Sequence, residues 1–411
     1  MSFVDFVSSS PSSFHAAQAV ARLLDAGGFT EQCESAPWDA TPGGKYVRRD
    51  GAIIAYRLPA PAANYRFRIV GTHTDSPGFK LKPHPRHTSA TWAQAGMEVY
   101  GGPLLNSWLD REFGLAGRVV LRSGEVRLVA TPAWLRIPQL APHLDRSVNE
   151  SLHLDKQQHL MPVFGFAEGT DLWAALADVV GVAPDDIQGH DLFAYLTQPP
   201  EVFGVDQDFL ASGRLDNLSS VYPGTVGLLA AEPAGGVIPV LAAFDHEEVG
   251  SATRAGAGGS FLEETLARTL GALGVAGDAA HQVRARSQVV SADAGQSVHP
   301  NYPGMFDPDE QPRLGGGPML KVNASQRYTT DAAGTALWRD VCERAGIPCQ
   351  TFVSNNAVTC GSTIGPITAT RLGIPTVDVG LPILAMHSAR EMGSLKDIDA
   401  LGRALGVFFA G

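Results

Sequence analysis

The feature that most constrains this chain is an apolar run, Val237 to Phe244, that stops abruptly at the acidic turn Asp245 to Glu248. Such a run, bounded by polar residues, is typical of a strand buried on both faces, as in a parallel sheet. Two other strand patterns behave in the same way, one running into His73 and the other into Asp293. The sequence therefore predicts buried strands whose carboxyl ends carry imidazole and carboxylate groups.

Helical patterns separate these strands. Apolar residues recur at helical spacing after Ser12 and Ser13, up to Gly27. The segment Ser260 to Glu263 has the form of a capping box opening a second helix, and Asp331 to Ala345 predicts a third that Gly346 ends. Alternating strands and helices predict an α/β catalytic domain with a mixed, largely parallel sheet.

The chain has 411 residues and 44% apolar content, which is more than one core usually accommodates, so we expect two domains. Residues 83–203 contain Gly101-Gly102-Pro103 and short strands bounded by proline, with few helical patterns. This stretch predicts an inserted β-rich domain at 83–203. Residues 1–82 and 204–411 would then form one discontinuous catalytic domain.

Composition excludes several classes of partner. A net charge of −11 with scattered Lys and Arg argues against nucleic-acid binding. No apolar run approaches the roughly 20 residues needed to span a bilayer, and the start of the chain lacks the pattern of a secretory signal, so we expect a cytoplasmic protein without membrane contact. The four cysteines form no CxxC pair, so a metal would have to be held by His and carboxylates.

Two short motifs contain the strongest chemical signals. In His73-Thr74-Asp75, the carboxylate can accept the second ring N–H of the histidine and so orient its metal-binding nitrogen. Glu247 and Glu248 are adjacent acids after an apolar strand, and they repel each other unless a cation or a proton compensates. Taken singly, the first motif is more often a polar turn than a metal site, and the second is slightly better explained as a solvated acidic loop.

Asp216, Asp293 and His387 have ordinary explanations too, as a helix N-cap, a loop acid and a packed histidine. Their shared position, after strands or at helix starts, changes the interpretation, because the strand carboxyl ends of an open α/β sheet converge on one crevice. Two His and three carboxylates suit two metal ions if one Asp bridges them. This ligand set fits Zn, Co or Mn without choosing among them.

Short motifs are spread over nearly the whole chain, and their order is GTHTDSP, GRLDN, DHEEVGS, SADAGQSVHPNY, KVNASQRY, CGSTIGPI and MHSAREM. Longer characteristic stretches lie at residues 100–119 and 135–146 in the inserted region. Together these motifs and their order resemble those of the aspartyl aminopeptidases, a family of dinuclear zinc enzymes.

The resemblance implies a metallo-aminopeptidase that releases N-terminal residues, preferentially Asp or Glu, from peptides with a free N-terminus. It implies Glu247 as the general base; with Glu247 we predict Asp75 as a catalytic residue, because it can orient His73. The resemblance also assigns the ligands of two divalent ions, with zinc as the expected metal. His73 and Asp293 would bind one ion, Glu248 and His387 the other, and Asp216 would bridge them.

The resemblance further implies that Lys321 recognises the side-chain carboxylate of the substrate, in a pocket lined by Tyr328, Gly361 and Ser362. His143 is similar to a family histidine that the inserted domain of one subunit offers to the site of its neighbour. Relatives form tetrahedral dodecamers through that domain. We therefore expect an inserted dimerisation domain and a homododecamer.

This chain departs from the family pattern in two places. Gly295-Gln296 stands where the family usually has Ala-His, and residues 355–359 replace a shorter segment. Neither change removes a ligand, but both bear on substrate preference. Two other functions stay open: a related two-metal amidohydrolase of broader specificity, and a non-catalytic shell or binding protein of the same fold.

Overall fold

A computed structural model describes residues 1–411. The α-helices are α1 (Phe3–Ser8), α2 (Ser13–Ala26), α3 (Leu172–Val180), α4 (Leu215–Ala230), α5 (Phe261–Ala272), α6 (Asp278–Ala285), α7 (Ala332–Ala345), α8 (Ile364–Leu372) and α9 (Leu395–Ala410). Short 3-10 helices cover Leu105–Trp108, Pro184–Asp186, Glu247–Val249 and Pro303–Met305.

The first part of the chain contains the strands β1 (Thr30–Glu31), β2 (Gly43–Arg49), β3 (Ala52–Leu58), β4 (Arg66–His73), β5 (Gly78–Ser89), β6 (Trp92–Tyr100), β7 (Glu112–Leu121), β8 (Val126–Ala130), β9 (Leu135–Arg136), β10 (Val163–Phe166), β11 (Ile187–Leu196), β12 (Glu201–Phe203) and β13 (Phe209–Ser212). The rest contains β14 (Val237–Phe244), β15 (Gln288–Ala292), β16 (Gly295–Gln296), β17 (Met319–Val322), β18 (Gln350–Val353), β19 (Thr376–Gly380), β20 (Pro382–Ile383) and β21 (Glu391–Gly393).

The chain divides into two compact units. The first comprises residues 1–75, 201–386 and 391–411, and the second comprises residues 76–200 with 387–390. Residue 83, the predicted start of the inserted domain, lies within strand β5.

The first unit is built on a nine-stranded mixed sheet with the order β1-β2-β3-β14-β4-β15-β19-β17-β18. Its four central strands, β14, β4, β15 and β19, are all parallel to their neighbours within that group. The apolar run Val237–Phe244 is β14, with every residue buried. The predicted α/β fold with a mixed, largely parallel sheet is confirmed.

Helices cover both faces of this sheet because its central strands are apolar on both sides. Successive side chains of a strand point to opposite faces, so Leu241 and Ala243 of β14 join one core while Val240 and Ala242 join the other. Buried residues of α2, α4, α7 and α9 complete the first core, and those of α5 complete the second.

The second unit is β-rich, as predicted. Its seven-stranded sheet has the order β11-β5-β6-β10-β9-β7-β8, and the antiparallel pairing of β11 with β7 closes the sheet on itself. Closure removes most free strand edges, which would otherwise expose unpaired backbone groups. No helix of the chain combines the length and the apolar character that crossing a membrane requires.

The predicted helix ends are confirmed in part. The carboxylate of Asp331 accepts the backbone N–H of Gly334, and Gly346 ends α7 in the left-handed conformation, as the sequence indicates. The capping box at Ser260 is wrong: Ser260 itself has helical φ and ψ angles and makes no capping hydrogen bond. A true N-cap needs extended backbone to aim its hydroxyl at the first turn.

Close packing at the end of β19 gives a first prediction. An alanine Cβ at position 380 would lie 1.8 Å from the backbone oxygen of Asp293 and 2.9 Å from Lys321 Cε. Backbone atoms cannot yield to this overlap, so Gly380→Ala should lower the free energy of unfolding by about 1–3 kcal/mol, measured by denaturant titration. Gly271→Ala in α5 meets no atom within 4 Å and should be neutral or slightly stabilising. Equal stability of both variants would contradict this packing.

Candidate metal centre

Three parallel strands bring their carboxyl ends together at one edge of the large sheet. In the pairing of β14 with β4, Phe244 lies opposite His73, so the turn after β14 begins beside this histidine. On the other side of β4, residue Ser291 of β15 lies opposite Gly71, which places Asp293 next to the same strand end. The convergence expected from the sequence is therefore present.

His73 is buried at this edge, with 1% of its surface exposed. Its Nε2 atom lies 3.2 Å from Asp216 Oδ1 and 3.2 Å from Asp293 Oδ1. Its Nδ1 atom lies 3.1 Å from the backbone oxygen of Asp75 and 3.4 Å from the Oδ1 atom of the same residue. Asp75 thus holds one ring nitrogen, and the other faces two carboxylates.

Asp75 also orients the acidic turn after β14. Its Oδ1 atom accepts the backbone N–H of Glu247 at 3.0 Å, and its Oδ2 atom accepts that of Glu248 at 3.2 Å. His246 precedes them in the left-handed conformation, which turns the chain sharply at this point. Asp75 therefore contacts the histidine through both its backbone oxygen and its carboxylate, and the carboxylate also holds the two glutamate amides.

The electrostatics of the cluster are those of acids crowded in a site of low polarity. Burial raises the pKa of Glu247 to about 7, with further repulsion from Asp293 and Asp216. Burial, together with the charge of Asp216, raises the pKa of Glu248 well above its ordinary value. Burial lowers the pKa of His73, but hydrogen bonds to Asp216, Asp293 and Asp75 outweigh it and raise that pKa well above the usual range.

The donor set fits a divalent metal ion. His73, Asp216 and Asp293 each offer a ligand atom within 4.8 Å of the others, and so do His73, Glu247 and Glu248. One imidazole nitrogen combined with carboxylate oxygens is a common ligand set of catalytic zinc. A cation placed there would relieve the repulsion that otherwise raises the pKa values of the acids.

Asp216 owes its position to neighbours that the sequence analysis did not single out. It lies in the first turn of α4 with non-helical φ and ψ angles, and its peptide bond to Asn217 is cis. Its backbone N–H donates to the buried Glu391 Oε2 at 3.1 Å. The Asn217 side chain donates to the Ala292 backbone oxygen at 3.0 Å and accepts the Ala294 N–H at 3.2 Å.

Asn217 therefore ties the start of α4 to the two residues that flank Asp293. Both Asn217 and Glu391 stand inside motifs quoted for the resemblance, GRLDN and MHSAREM. Their presence in these motifs was the only signal in the sequence, because no residue spacing predicts that Asn217 and Glu391 would support Asp216 and Asp293.

His387 belongs to the second unit. Its Nδ1 atom lies 2.9 Å from the backbone oxygen of Gly102, and its own backbone has a left-handed φ of 65°. A hydrogen bond to one ring nitrogen fixes the imidazole and selects the other, Nε2, as a ligand atom. The assignment of His387 as a metal ligand stays a prediction.

Lys321 is buried beside the cluster, with 2% of its surface exposed. Its Nζ atom donates to the Ala294 backbone oxygen at 2.8 Å and lies 3.6 Å from Asp293 Oδ2. The ammonium also sits 5.4 Å from the ring centre of Tyr328. Lys321 is therefore not a surface lysine, and its charge is shared with a residue of the candidate metal centre.

The other predicted pocket residues lie on two loops of the first unit. Tyr328 is buried against Met319 and Phe352. Ser362 is exposed and donates through Oγ to the Arg327 backbone oxygen at 3.3 Å, while Gly361 has open space around it. This hydroxyl has a backbone partner and no base beside it among its hydrogen bonds, which agrees with a lining role.

Two further predictions concern residues outside the cluster. His143 is exposed in the second unit, in the segment between β9 and β10. Gly295 and Gln296 form the short strand β16, which pairs with β20, and the side chain of Gln296 is exposed. Their effects on activity stay predictions.

The fold and the cluster together indicate the class of α/β metal-dependent hydrolases, with the candidate site at the carboxyl ends of the parallel central strands. The chain belongs to the M18 family of aminopeptidase I zinc metalloproteases, whose family model matches residues 6–409. It is therefore a zinc-dependent aminopeptidase, and the recognition made from its motifs is confirmed at the level of this family.

Among curated proteins, the chain is similar to the probable M18 family aminopeptidase 2 of Streptomyces coelicolor, with 48% identity over 98% of this chain and 95% of that one. Among solved structures, it is similar to a chain in the structure of the Ape4 and Nbr1 complex, with TM-score 0.95, 34% identity and coverage of 99% of this chain and 84% of that one. It is also similar to the S. cerevisiae mApe1 dodecamer, with TM-score 0.86, 27% identity and coverage of 99% and 95%.

The hydrogen bonds of Asp75 give a second prediction. Asp75→Asn keeps the shape of the side chain but weakens its hold on His73 Nδ1 and on the amides of residues 247 and 248. Zinc affinity should fall by about 10- to 100-fold, the scale for losing a partner that orients a metal ligand. Competition with a chromogenic chelator measures this affinity.

The control is Asp39→Asn, which alters an exposed carboxylate paired with Lys45 and should leave the zinc affinity unchanged. Undiminished affinity in Asp75→Asn would contradict the assigned role.

Proposed function

We propose that this aminopeptidase releases N-terminal residues, preferentially Asp and Glu, using two divalent metal ions and Glu247 as general base. The observation that carries the proposal is the placement of His73 Nε2 at 3.2 Å from each of two carboxylates, Asp216 and Asp293, with Glu247 in the same cluster. Such crowding of acids around one imidazole is costly unless cations occupy the site.

In this proposal, His73 and Asp293 hold one ion, Glu248 and His387 hold the other, and the Asp216 carboxylate lies between them. The distance of 3.2 Å between Asp216 Oδ1 and His73 Nε2 supports the first half of this assignment. The assignment of Glu248 and His387 to the second ion follows from the resemblance. Zinc is the expected metal, with cobalt or manganese as substitutes. Bound zinc ions would supply Lewis-acid chemistry, polarising the substrate carbonyl and lowering the pKa of water.

Glu247 is the residue that moves the proton. Its backbone N–H donates to the Asp75 carboxylate, which fixes the turn that carries the Glu247 side chain. We assign it to accept the proton of the attacking water and to return it to the leaving amine, a role for which carboxylates are well suited in a site of low polarity. Glu248 follows on the same turn and serves as a ligand.

Lys321 is the residue proposed to bind the acidic side chain of the substrate. A buried ammonium near the cluster favours a substrate carboxylate, and Tyr328, Gly361 and Ser362 would line the same pocket. One observation favours the broader specificity instead. The Lys321 ammonium already contacts Asp293 Oδ2 and the Ala294 oxygen. Because Asp293 partly neutralises its charge, Lys321 would attract a substrate carboxylate less strongly. A substrate panel decides between the two.

We also propose that the chain assembles as a homododecamer in which the second unit mediates dimerisation. The likeness to the S. cerevisiae mApe1 dodecamer supports this assembly. In the same proposal, His143 would reach the active site of a neighbouring subunit.

The third prediction tests the base. Glu247→Gln removes the proton acceptor but keeps the side-chain shape, so activity on peptides with a free N-terminus should fall by about 100-fold or more. Zinc content, measured by elemental analysis, should stay at the wild-type value. Glu263→Gln alters a half-exposed carboxylate of α5 that pairs with Arg371 outside the cluster; it is the matched control and should retain full activity.

Loss of zinc in Glu247→Gln would make Glu247 a ligand and contradict its assignment as base. A wild-type protein loaded with zinc, cobalt or manganese that cleaves no acidic or neutral N-terminal residue would overturn the proposed function altogether.

The fourth prediction tests specificity. Lys321→Leu should reduce kcat/KM for N-terminal Asp and Glu by roughly 10- to 100-fold, the range for losing a hydrogen bond to a charged group, and should reduce it far less for neutral residues. Lys396→Leu, which alters a solvent-exposed ion pair with Asp208, is the control. Because Lys321 contacts Asp293, zinc content is measured in parallel. Equal losses across the panel would refute this role of Lys321.

A further inference from the structure

Asp378 is a buried carboxylate outside the metal cluster. It lies in β19 with no exposed surface, on the strand that supplies the Val379 oxygen accepting the backbone N–H of Asp293. Burying an ionised carboxylate is costly unless hydrogen bonds satisfy its oxygens. The partners of Asp378 therefore indicate what this buried charge does.

Those partners come from two separate loops. The Oδ2 atom accepts the Thr329 backbone N–H at 2.7 Å and the hydroxyl of the same residue at 2.6 Å. The Oδ1 atom accepts the Thr363 hydroxyl at 2.6 Å. Thr329 lies between β17 and α7, whereas Thr363 is the N-cap of α8. One carboxylate thus clamps two segments that are distant in the sequence.

The fit around the clamp is close. An added Cβ at Gly365 would lie 2.3 Å from Asp378 Oδ1, so only glycine allows α8 to start this near to the carboxylate. A backbone contact adds to the clamp, since the Asp378 N–H donates to the Thr330 hydroxyl at 2.9 Å. Short hydrogen bonds to an ionised oxygen are among the stronger ones in proteins.

The two clamped loops are those that carry the proposed pocket residues. Tyr328 directly precedes Thr329, and Ser362 directly precedes Thr363. The loops also touch each other near these residues, because Ser362 Oγ donates to the Arg327 oxygen at 3.3 Å and Arg327 Nε donates to the Gly361 oxygen at 3.4 Å. The ring of Tyr328, in turn, faces the Lys321 ammonium.

We propose that Asp378 is a positioning residue for substrate selection, which acts by locking the loops of Thr329 and Thr363 together so that Tyr328 and Ser362 form one wall of the substrate pocket. The inference rests on the proposed function for the assignment of that pocket. Asp378 touches neither the substrate nor the metal ligands' carboxylates in this account. Its influence on the reaction passes through the two threonines.

The test compares Asp378→Asn, Thr329→Val and Thr363→Val. Asn keeps the shape of Asp but loses the charge and one acceptor oxygen, and each Val releases one loop. KM should rise about 10-fold or more in Asp378→Asn, the effect of weakening charged hydrogen bonds, with kcat changed far less and zinc content unchanged. Each Val variant should show a smaller rise. Kinetics are measured on whichever N-terminal residue the wild-type enzyme cleaves best, so a missing preference for acidic residues does not decide the outcome.

Hydrogen exchange supplies a readout that does not depend on activity. Asp378→Asn should speed amide exchange in residues 323–331 and in residues 360–365, whereas Thr329→Val should act on the first segment and Thr363→Val on the second. Asp397→Asn is the matched control, because Asp397 is equally buried and clamps a different loop through the amides of Gly315 and Gly317. It should speed exchange in that loop and leave KM unchanged.

Three results would overturn the inference. The first is faster exchange in both loops with unchanged KM, which would make the clamp structural only. The second is unchanged exchange in Asp378→Asn, and the third is an equal rise of KM in Asp397→Asn. A wild-type enzyme that cleaves no peptide would instead refute the proposed function, while the exchange data would still report on the clamp.

Discussion

The imidazole of His73 is the point on which the site depends, because its two nitrogens are committed to opposite partners. Asp75 holds Nδ1, and Asp216 and Asp293 face Nε2. This arrangement fixes the direction of the ligand nitrogen without any metal. The Asp75 carboxylate also holds the amides of Glu247 and Glu248. One buried residue therefore orients His73, Glu247 and Glu248, the residues to which the proposal assigns metal binding and base catalysis.

The sheet explains why these residues meet. Parallel strands β14, β4 and β15 end at one edge of the sheet, and the residues that lead up to that edge are buried in each strand. The polar residues at the ends of these strands therefore lie close together. The concentration of negative charge there opposes folding through desolvation and repulsion, which couples the stability of this edge to cation binding.

The sequence predicted the parts of the molecule that depend on local pattern. The bounds of β14, the positions of His73 and Asp293 at strand ends, and the end of α7 at Gly346 all follow from periodicity and residue type. The capping box at Ser260 failed because a motif of four residues does not determine the backbone angles at its first position. The role of Asp75 toward His73 was predicted, whereas its hold on the turn of residues 247 and 248 was not.

Most of the features that could not be predicted from the sequence are hydrogen bonds between residues that are far apart in the chain. Asn217 joins α4 to the flanks of Asp293, Glu391 accepts the amide of Asp216, and Asp378 joins two loops. Each of these contacts links residues 15 or more positions apart, and most link residues 49 or more apart. No spacing rule reveals such partners, because they are determined by how the elements pack.

The central claim is that two metal ions share the Asp216 carboxylate. Anomalous scattering at the zinc absorption edge, from crystals of the zinc-loaded protein, tests this claim most directly. The account predicts two peaks per chain, one beside His73 and Asp293 and one beside Glu248 and His387, with Asp216 contacting both. A single peak per chain, or two peaks of which only one contacts Asp216, would contradict it.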